Sequence, residues 1–185
     1  MVSSLDGDRH VGCVANSVMQ ITQNQIVVSL NHDNYTNSCI QKCGKFAVSV
    51  LDENIDPVVI GTFGYQSSRD VDKFTFISHD IVEDCAVLTG SCGYLVCKVV
   101  DTMETETHTI FLGEIIGGMR NSGFKPMTYA YYHEVVKGKA QVNSTSTLAD
   151  DPRSLKKKYV FVCQVCGYRV ETDEEELPED FKCPI

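Results

Sequence analysis

Two cysteines at C-x-x-C spacing, Cys163-Gln-Val-Cys166, followed by Gly167, constrain what the end of this chain can fold into. Such a run makes a tight knuckle that points two sulfurs at one ion, and thiolate sulfur selects iron or zinc. A third candidate ligand, Cys183, is preceded by an acidic stretch and followed by Pro184. Tetrahedral sulfur sites use four ligands, so Cys163, Cys166 and Cys183 form a set one thiolate short. On softness and geometry alone, a zinc ribbon and an iron centre both stay open. Tyr159, Tyr168 and Phe181 can supply a small apolar shell. A segment this short cannot fold on burial alone, so metal would be its main stabiliser.

The remainder is long enough for an ordinary domain with its own core, since the chain has 185 residues, 43% of them apolar and 22% charged. No run of about 18 apolar residues is present, which argues against a membrane-spanning helix. The first ten residues lack the basic and apolar regions of a secretory signal. A net charge of −9 disfavours nucleic acid as a partner, because no basic surface would neutralise phosphates. It suits plain solubility, or docking to a basic redox partner. Six further cysteines, at 13, 39, 43, 85, 92 and 97, are scattered through globular sequence and read as small buried hydrophobes in a reducing, cytoplasmic compartment. Cys39 and Cys43 are four apart in an expected helix and could share a face, but two ligands without partners rarely hold a metal.

Residues 1–143 read as one domain made mainly of strands, 144–158 as a polar linker ending in three lysines, and 159–185 as the metal knuckle. Strands are expected over residues 11–19, 25–30 and 46–51, with two long ones over 93–102 and 108–116. Thr36 is the expected N-cap of a helix over 37–42 with Gly44 as its C-cap, and Pro57 opens a second helix. Residues 127–136 form a short closing element. No internal repeat or Gly-x-Gly-x-x-Gly fingerprint is present, so a separate Rossmann domain for a nicotinamide is not expected.

Small hydroxylated residues gather at the expected strand ends: Gly12-Cys-Val-Ala15-Asn16-Ser17, Ser29-Leu30-Asn31 and Asn34-Tyr-Thr36. They suit a flat heterocycle or a phosphate, although caps and turns use the same residues for local reasons. Further along come Gly44-Lys-Phe-Ala-Val-Ser-Val-Leu51, Ile60-Gly-Thr-Phe-Gly-Tyr-Gln66-Ser67-Ser68-Arg69-Asp-Val-Asp-Lys73-Phe, Cys97-Lys-Val-Val, His108-Thr-Ile-Phe-Leu-Gly-Glu114 and Tyr131-Tyr-His-Glu-Val-Val. In this order, over residues 9–140, the motifs resemble the flavin reductase-like, FMN-binding split-barrel family. Leu177-Pro-Glu-Asp-Phe181 before Cys183-Pro184 resembles the C-terminal half of rubredoxin, as in fusions of the high-molecular-weight rubredoxin and flavoredoxin type.

The first resemblance implies a mainly β fold, a six-stranded antiparallel Greek-key split barrel with short helices, dimerising so that FMN lies at or near the interface. It implies that Ala15, Asn16 and Ser17 face the isoalloxazine edge and that Ser29, Leu30 and Asn31 lie along the flavin. Asn34 and Thr36 would lie near its phosphate, where helix N–H groups favour an anion. Ser67, Ser68 and Arg69 would make a second phosphate or ribityl contact, with Lys73 adding positive charge. Gln66 departs from the Arg or Lys common in the family. His108 would stand near the flavin face, orienting a substrate or supplying a proton; a hydrogen-bonded structural histidine is the plainer alternative. His10, His32, His79 and His133 have no comparable claim, and Glu114 reads as structural.

The second resemblance favours iron over zinc and implies a Cys-Gly beyond Ile185. Together the two imply an oxidoreductase that passes electrons from NAD(P)H, or from a redox partner, through FMN to iron. An acceptor such as a flavodiiron reductase would follow. The rivals are a free flavin or ferric reductase, and a non-enzymatic electron-transfer or zinc-stabilised interaction module.

Overall fold

The computed structural model describes residues 1–136, 159–162, 169–172 and 176. The chain divides into two compact units, Met1–Thr147 and Leu148–Ile185. In the second, β10 (Tyr159–Val162) pairs antiparallel with β11 (Arg169–Thr172), in a continuous register from Tyr159 opposite Thr172 to Val162 opposite Arg169.

The first unit is built on one seven-stranded antiparallel sheet, β2-β1-β5-β8-β9-β4-β3. Its strands are β1 (Val2–Asp6), β2 (Arg9–Cys13), β3 (Val18–Gln20), β4 (Gln25–Asn31), β5 (Lys45–Val50), β8 (Gly93–Glu104) and β9 (His108–Arg120). Between them lie α1 (Tyr35–Cys43), α2 (Pro57–Tyr65) and a separate hairpin of β6 (His79–Val82) and β7 (Cys85–Leu88). The strand arrangement is the mainly β, antiparallel one expected, with β3 a short exposed edge that brings the count to seven.

Side-chain alternation decides which face each strand buries. Along β4, Ile26, Val28 and Leu30 are buried while Gln25, Val27, Ser29 and Asn31 are only partly covered. Opposite it, β9 buries Thr109, Phe111 and Gly113. Ile26, Val28, Leu30 and Phe111 join Val2, Phe46, Val48 and Cys97 in the main core. Gly113 is required there, because a Cβ would sit 2.5 Å from the Phe46 ring and 2.8 Å from Cys97 Cβ. A second cluster, with Val59, Phe63, Phe74 and Leu88, packs beneath α2.

Two local expectations are corrected. The strand expected over 11–19 is broken: β2 ends at Cys13 and β3 starts at Val18. Val14 N–H leaves the ladder to donate to Phe63 O at 3.0 Å, so the intervening segment lies against α2. The N-cap of α1 is Asn34, not Thr36: its side-chain oxygen accepts from Thr36 N–H at 3.0 Å, and the helix starts at Tyr35. Gly44 closes it as expected, at φ 69° with its N–H on Ile40 O. The short closing element over 127–136 is present as expected, as a helix, α3 (Tyr129–Tyr131), followed by a π-helical turn over Tyr132–Val136.

Five of the six cysteines in this unit are buried and all six are free thiols. Cys39 is buried, whereas Cys43 is exposed and within 3.0 Å of Ser4 Oγ, so the two do not form a paired site. Among the described residues, no group of three or more His, Cys, Asp or Glu side chains could hold a metal ion. No helix among them is long and apolar enough to cross a membrane.

Candidate active site

The ends of β4, β5 and β9 and the segment after β2 surround a cavity of about 550 Å³. Val14, Ala15 and Asn16 form one side, and Ser29, Leu30 and Asn31 another. Ile60, Gly64 and Tyr65 of α2 line it from a third direction, and His108 stands at the start of β9. Size, apolar walls and a few polar groups are the usual attributes of a site for a flat heteroaromatic ligand.

Seven residues expected to bind a ligand or act on it meet there: Ala15, Asn16, Ser29, Leu30, Asn31, Asn34 and His108. The reason is register. Asn31 pairs directly with His108 and Ser29 with Ile110, so alternate β4 positions and the first residue of β9 share one end of the sheet. Asn31 and Asn34 have a local duty as well. Asn31 Oδ1 accepts from Asp33 N–H at 2.8 Å, and Asn34 caps α1, which fixes the turn between β4 and the helix.

The remaining expected residues do not line the cavity. Ser17 donates to Asn16 Oδ1 at 3.2 Å, just outside it. Thr36 is buried in the first turn of α1. Ser68 and Lys73 are buried and converge on Gly12: Ser68 Oγ donates to Gly12 O and accepts from Gly12 N–H, both at 3.1 Å, while Lys73 Nζ donates to Gly12 O at 2.8 Å. Lys73 also stands over the Phe63 ring and has no ion-pair partner among the described residues. Burial lowers its ammonium pKa to about 8. These contacts staple the loop after α2 onto β2.

That staple presents Arg69. Ser67 Oγ accepts from Arg69 N–H at 3.1 Å, and the guanidinium lies 5.2 Å from the centroid of the Tyr35 ring. Tyr35 is the first residue of α1, immediately after the cavity-lining Asn34. Arg9 stands over the same ring at 5.8 Å and pairs with Asp6 at 3.0 Å, while Tyr35 Oη donates to Asp6 at 2.7 Å. Hydrogen bonds from Tyr35 and Arg9 hold the Asp6 carboxyl below its ordinary pKa. A guanidinium with no ion-pair partner among the described residues, beside a helix start, is suited to an anionic tail.

Sequence reasoning missed the aromatic side of the cavity. Tyr65, Tyr129 and Tyr132 line it, and the hydroxyls of Tyr65 and Tyr132 are 2.9 Å apart. Burial first, then the Tyr65 hydrogen bond, push the Tyr132 phenol up to about 12. The only signal was indirect, since Gly64-Tyr65 and Tyr131-Tyr132 sit in quoted motifs without an assigned role. Cys163, Cys166 and Cys183 lie outside the described residues, as does the linker over 144–158.

The flavin reductase like domain model matches residues 1–140. The high molecular weight rubredoxin of Moorella thermoacetica is 34% identical over an alignment that covers 100% of this chain and 89% of that protein. The NAD(P)H ferric-chelate reductase of Archaeoglobus fulgidus is 33% identical, over 78% of this chain and 88% of that protein. Among solved structures, the NADH:FAD oxidoreductase of Streptomyces globisporus matches with a TM-score of 0.63 and 25% identity, over 68% of this chain and 76% of that one.

Proposed function

The chain belongs to the flavin reductase-like family and is an oxidoreductase, and from that premise we propose that it passes electrons from NAD(P)H, or from a redox partner, through FMN to an iron centre. The observation that carries the reading is the cavity lined by residues 14–16 and 29–31 together with His108. Bound flavin supplies hydride acceptance and the release of electrons singly or in pairs. Ala15, Asn16 and Ser17 would meet the edge of the ring system, and Ser29, Leu30 and Asn31 would lie along it. Asn34, Thr36, Ser67 and Arg69 would hold the phosphate end, with Ser68 and Lys73 fixing the loop that carries Arg69. His108 would orient the reductant or hold a proton.

In this proposal residues 159–185 form a rubredoxin-like domain. Cys163, Cys166 and Cys183 ligate iron rather than zinc, and a flavodiiron-type protein is the acceptor. The functional form is a homodimer. The full-length relation to a high molecular weight rubredoxin supports this reading. The relation to a ferric-chelate reductase favours a second one, in which a ferric chelate takes electrons directly from the flavin site.

Anaerobic titration of the FMN-loaded protein with NADH and NADPH tests the first step. Bleaching of the flavin band is expected, and an unchanged spectrum with both would sink direct reduction. Replacing Cys163 and Cys166 by Ser separates the two outlets. Loss of electron delivery to a rubredoxin acceptor with ferric-chelate reduction retained is expected.

A further inference from the structure

Both threonine hydroxyls of Thr105-Glu106-Thr107-His108 are directed at His108. Thr105 Oγ1 donates to His108 O at 2.7 Å and accepts from His108 N–H at 3.0 Å, while Thr105 N–H reaches the same carbonyl at 2.8 Å. These bonds fix the histidine backbone at the β8–β9 turn. Thr107 Oγ1 lies 2.7 Å from His108 Nδ1 and fixes the ring. The turn is in turn tied to the cavity wall, because His32 N–H donates to Thr107 O at 2.9 Å and Asn31 pairs with His108 across the strands. Among the described residues Thr107 is the ring's only hydrogen-bond partner, so Nε2 is left for a ligand in the cavity that His108 lines.

We propose that Thr107 is a positioning residue that donates its hydroxyl proton to His108 Nδ1, holding the neutral ring as the Nε2–H tautomer so that it presents a hydrogen-bond donor to a carbonyl oxygen of the bound reductant. The inference rests on the proposed role of His108 at the flavin site. A neutral imidazole has one donor and one acceptor nitrogen, and the bond made by one nitrogen decides what the other can do. With Nδ1 occupied as an acceptor, Nε2 must carry the proton. The ligand chemistry this selects is an amide or other carbonyl acceptor, such as the carboxamide of a nicotinamide, rather than a donor group. Thr105 acts one step further back, keeping the residue in the cavity wall.

The test uses the full-length protein loaded with FMN at pH 8.5. Ring nitrogen chemical shifts of ¹⁵N-labelled protein should report a protonated Nε2 and an unprotonated Nδ1 for His108. Thr107→Val should convert this to a mixed signal and lower kcat with NADH about 5-fold, the equivalent of one ordinary hydrogen bond, with the Kd for FMN unchanged. Thr107→Ser should restore both. A protonated Nδ1 in the wild type, or an unaltered spectrum in Thr107→Val, would overturn the assignment. His108→Ala separates the two levels of argument. If it leaves NADH oxidation untouched, the role proposed for His108 fails, whereas a slow His108→Ala protein with a fully active Thr107→Val protein rejects Thr107 alone.

Discussion

Two stretches carry the polar residues expected to bind the ligand, and they use them in opposite ways. Along β4 and the start of β9, Ser29, Asn31 and His108 come together at one end of the sheet and line the cavity. In residues 67–73, Ser68 and Lys73 turn inward and bind the backbone of Gly12, leaving Arg69 at the surface. Serine and lysine in a motif expected to bind a ligand can therefore be occupied by the backbone instead. In the strands the pleat forces alternate side chains to one face, whereas in the loop each side chain goes where an unpaired carbonyl requires it.

The largest expected effect concerns Lys73. Its folded pKa, about 8, lies below the ordinary lysine value, so the unfolded chain binds more protons between pH 8 and about 10.4 and stability must rise with pH across that window. The difference in unfolding free energy between wild type and Lys73→Met should grow by about 3 kcal/mol over it, on the scale of 1.36 kcal/mol per pKa unit. Urea unfolding at a series of pH values checks this. Taking the difference matters because Cys85 and Cys97, pushed by burial to about 11 and about 12, act with the opposite sign as they lose stability contribution at high pH. A flat difference would mean that Lys73 makes its contacts without being desolvated.

Filling the strand side of the cavity should come next. Ser29→Trp places an indole where the ring system would lie and should weaken FMN binding about 100-fold by fluorescence titration, with the far-ultraviolet spectrum preserved. Arg69→Ala probes the loop side. It should weaken FMN about 10-fold, in line with a charge-assisted hydrogen bond of about 1.5 kcal/mol, yet leave riboflavin, which lacks the phosphate, unaffected. Equal losses for both ligands would place Arg69 away from the phosphate and erase the contrast between the two stretches. The smallest change is expected from Tyr132→Phe, which removes the hydroxyl pair with Tyr65. A loss of about 1 kcal/mol in stability and a modest change in KM should follow.

Apolar, β-branched runs made β4, β5, β8 and β9 legible because each has buried residues to cover, and Pro57 and Gly44 marked helix ends through fixed backbone chemistry. The β6–β7 hairpin was not legible. Its two-residue turn puts Glu83 and Asp84 at φ 47° and 69°, a conformation normally announced by Asn-Gly or Asp-Gly. Lys45 compensates by pairing with Asp84 at 3.0 Å, a contact 39 residues away in sequence. The strand wall of the site followed from motif order, since sequence neighbours on one strand remain spatial neighbours. The convergence of Ser68 and Lys73 on Gly12, and of Tyr65 on Tyr132, depends on contacts more than 55 residues apart, which no local pattern encodes.

The buried thiols give the first unit an internal clock. Cys13, Cys39, Cys85, Cys92 and Cys97 are closed off in the folded state and held as neutral thiols by burial, which raises the pKa of each. Alkylating reagents attack thiolates, so these five sulfurs react only when the barrel opens, while Cys43 reacts at once. Counting modified cysteines of this unit against time therefore reads out how often the cavity's own scaffold comes apart, under native conditions and without denaturant.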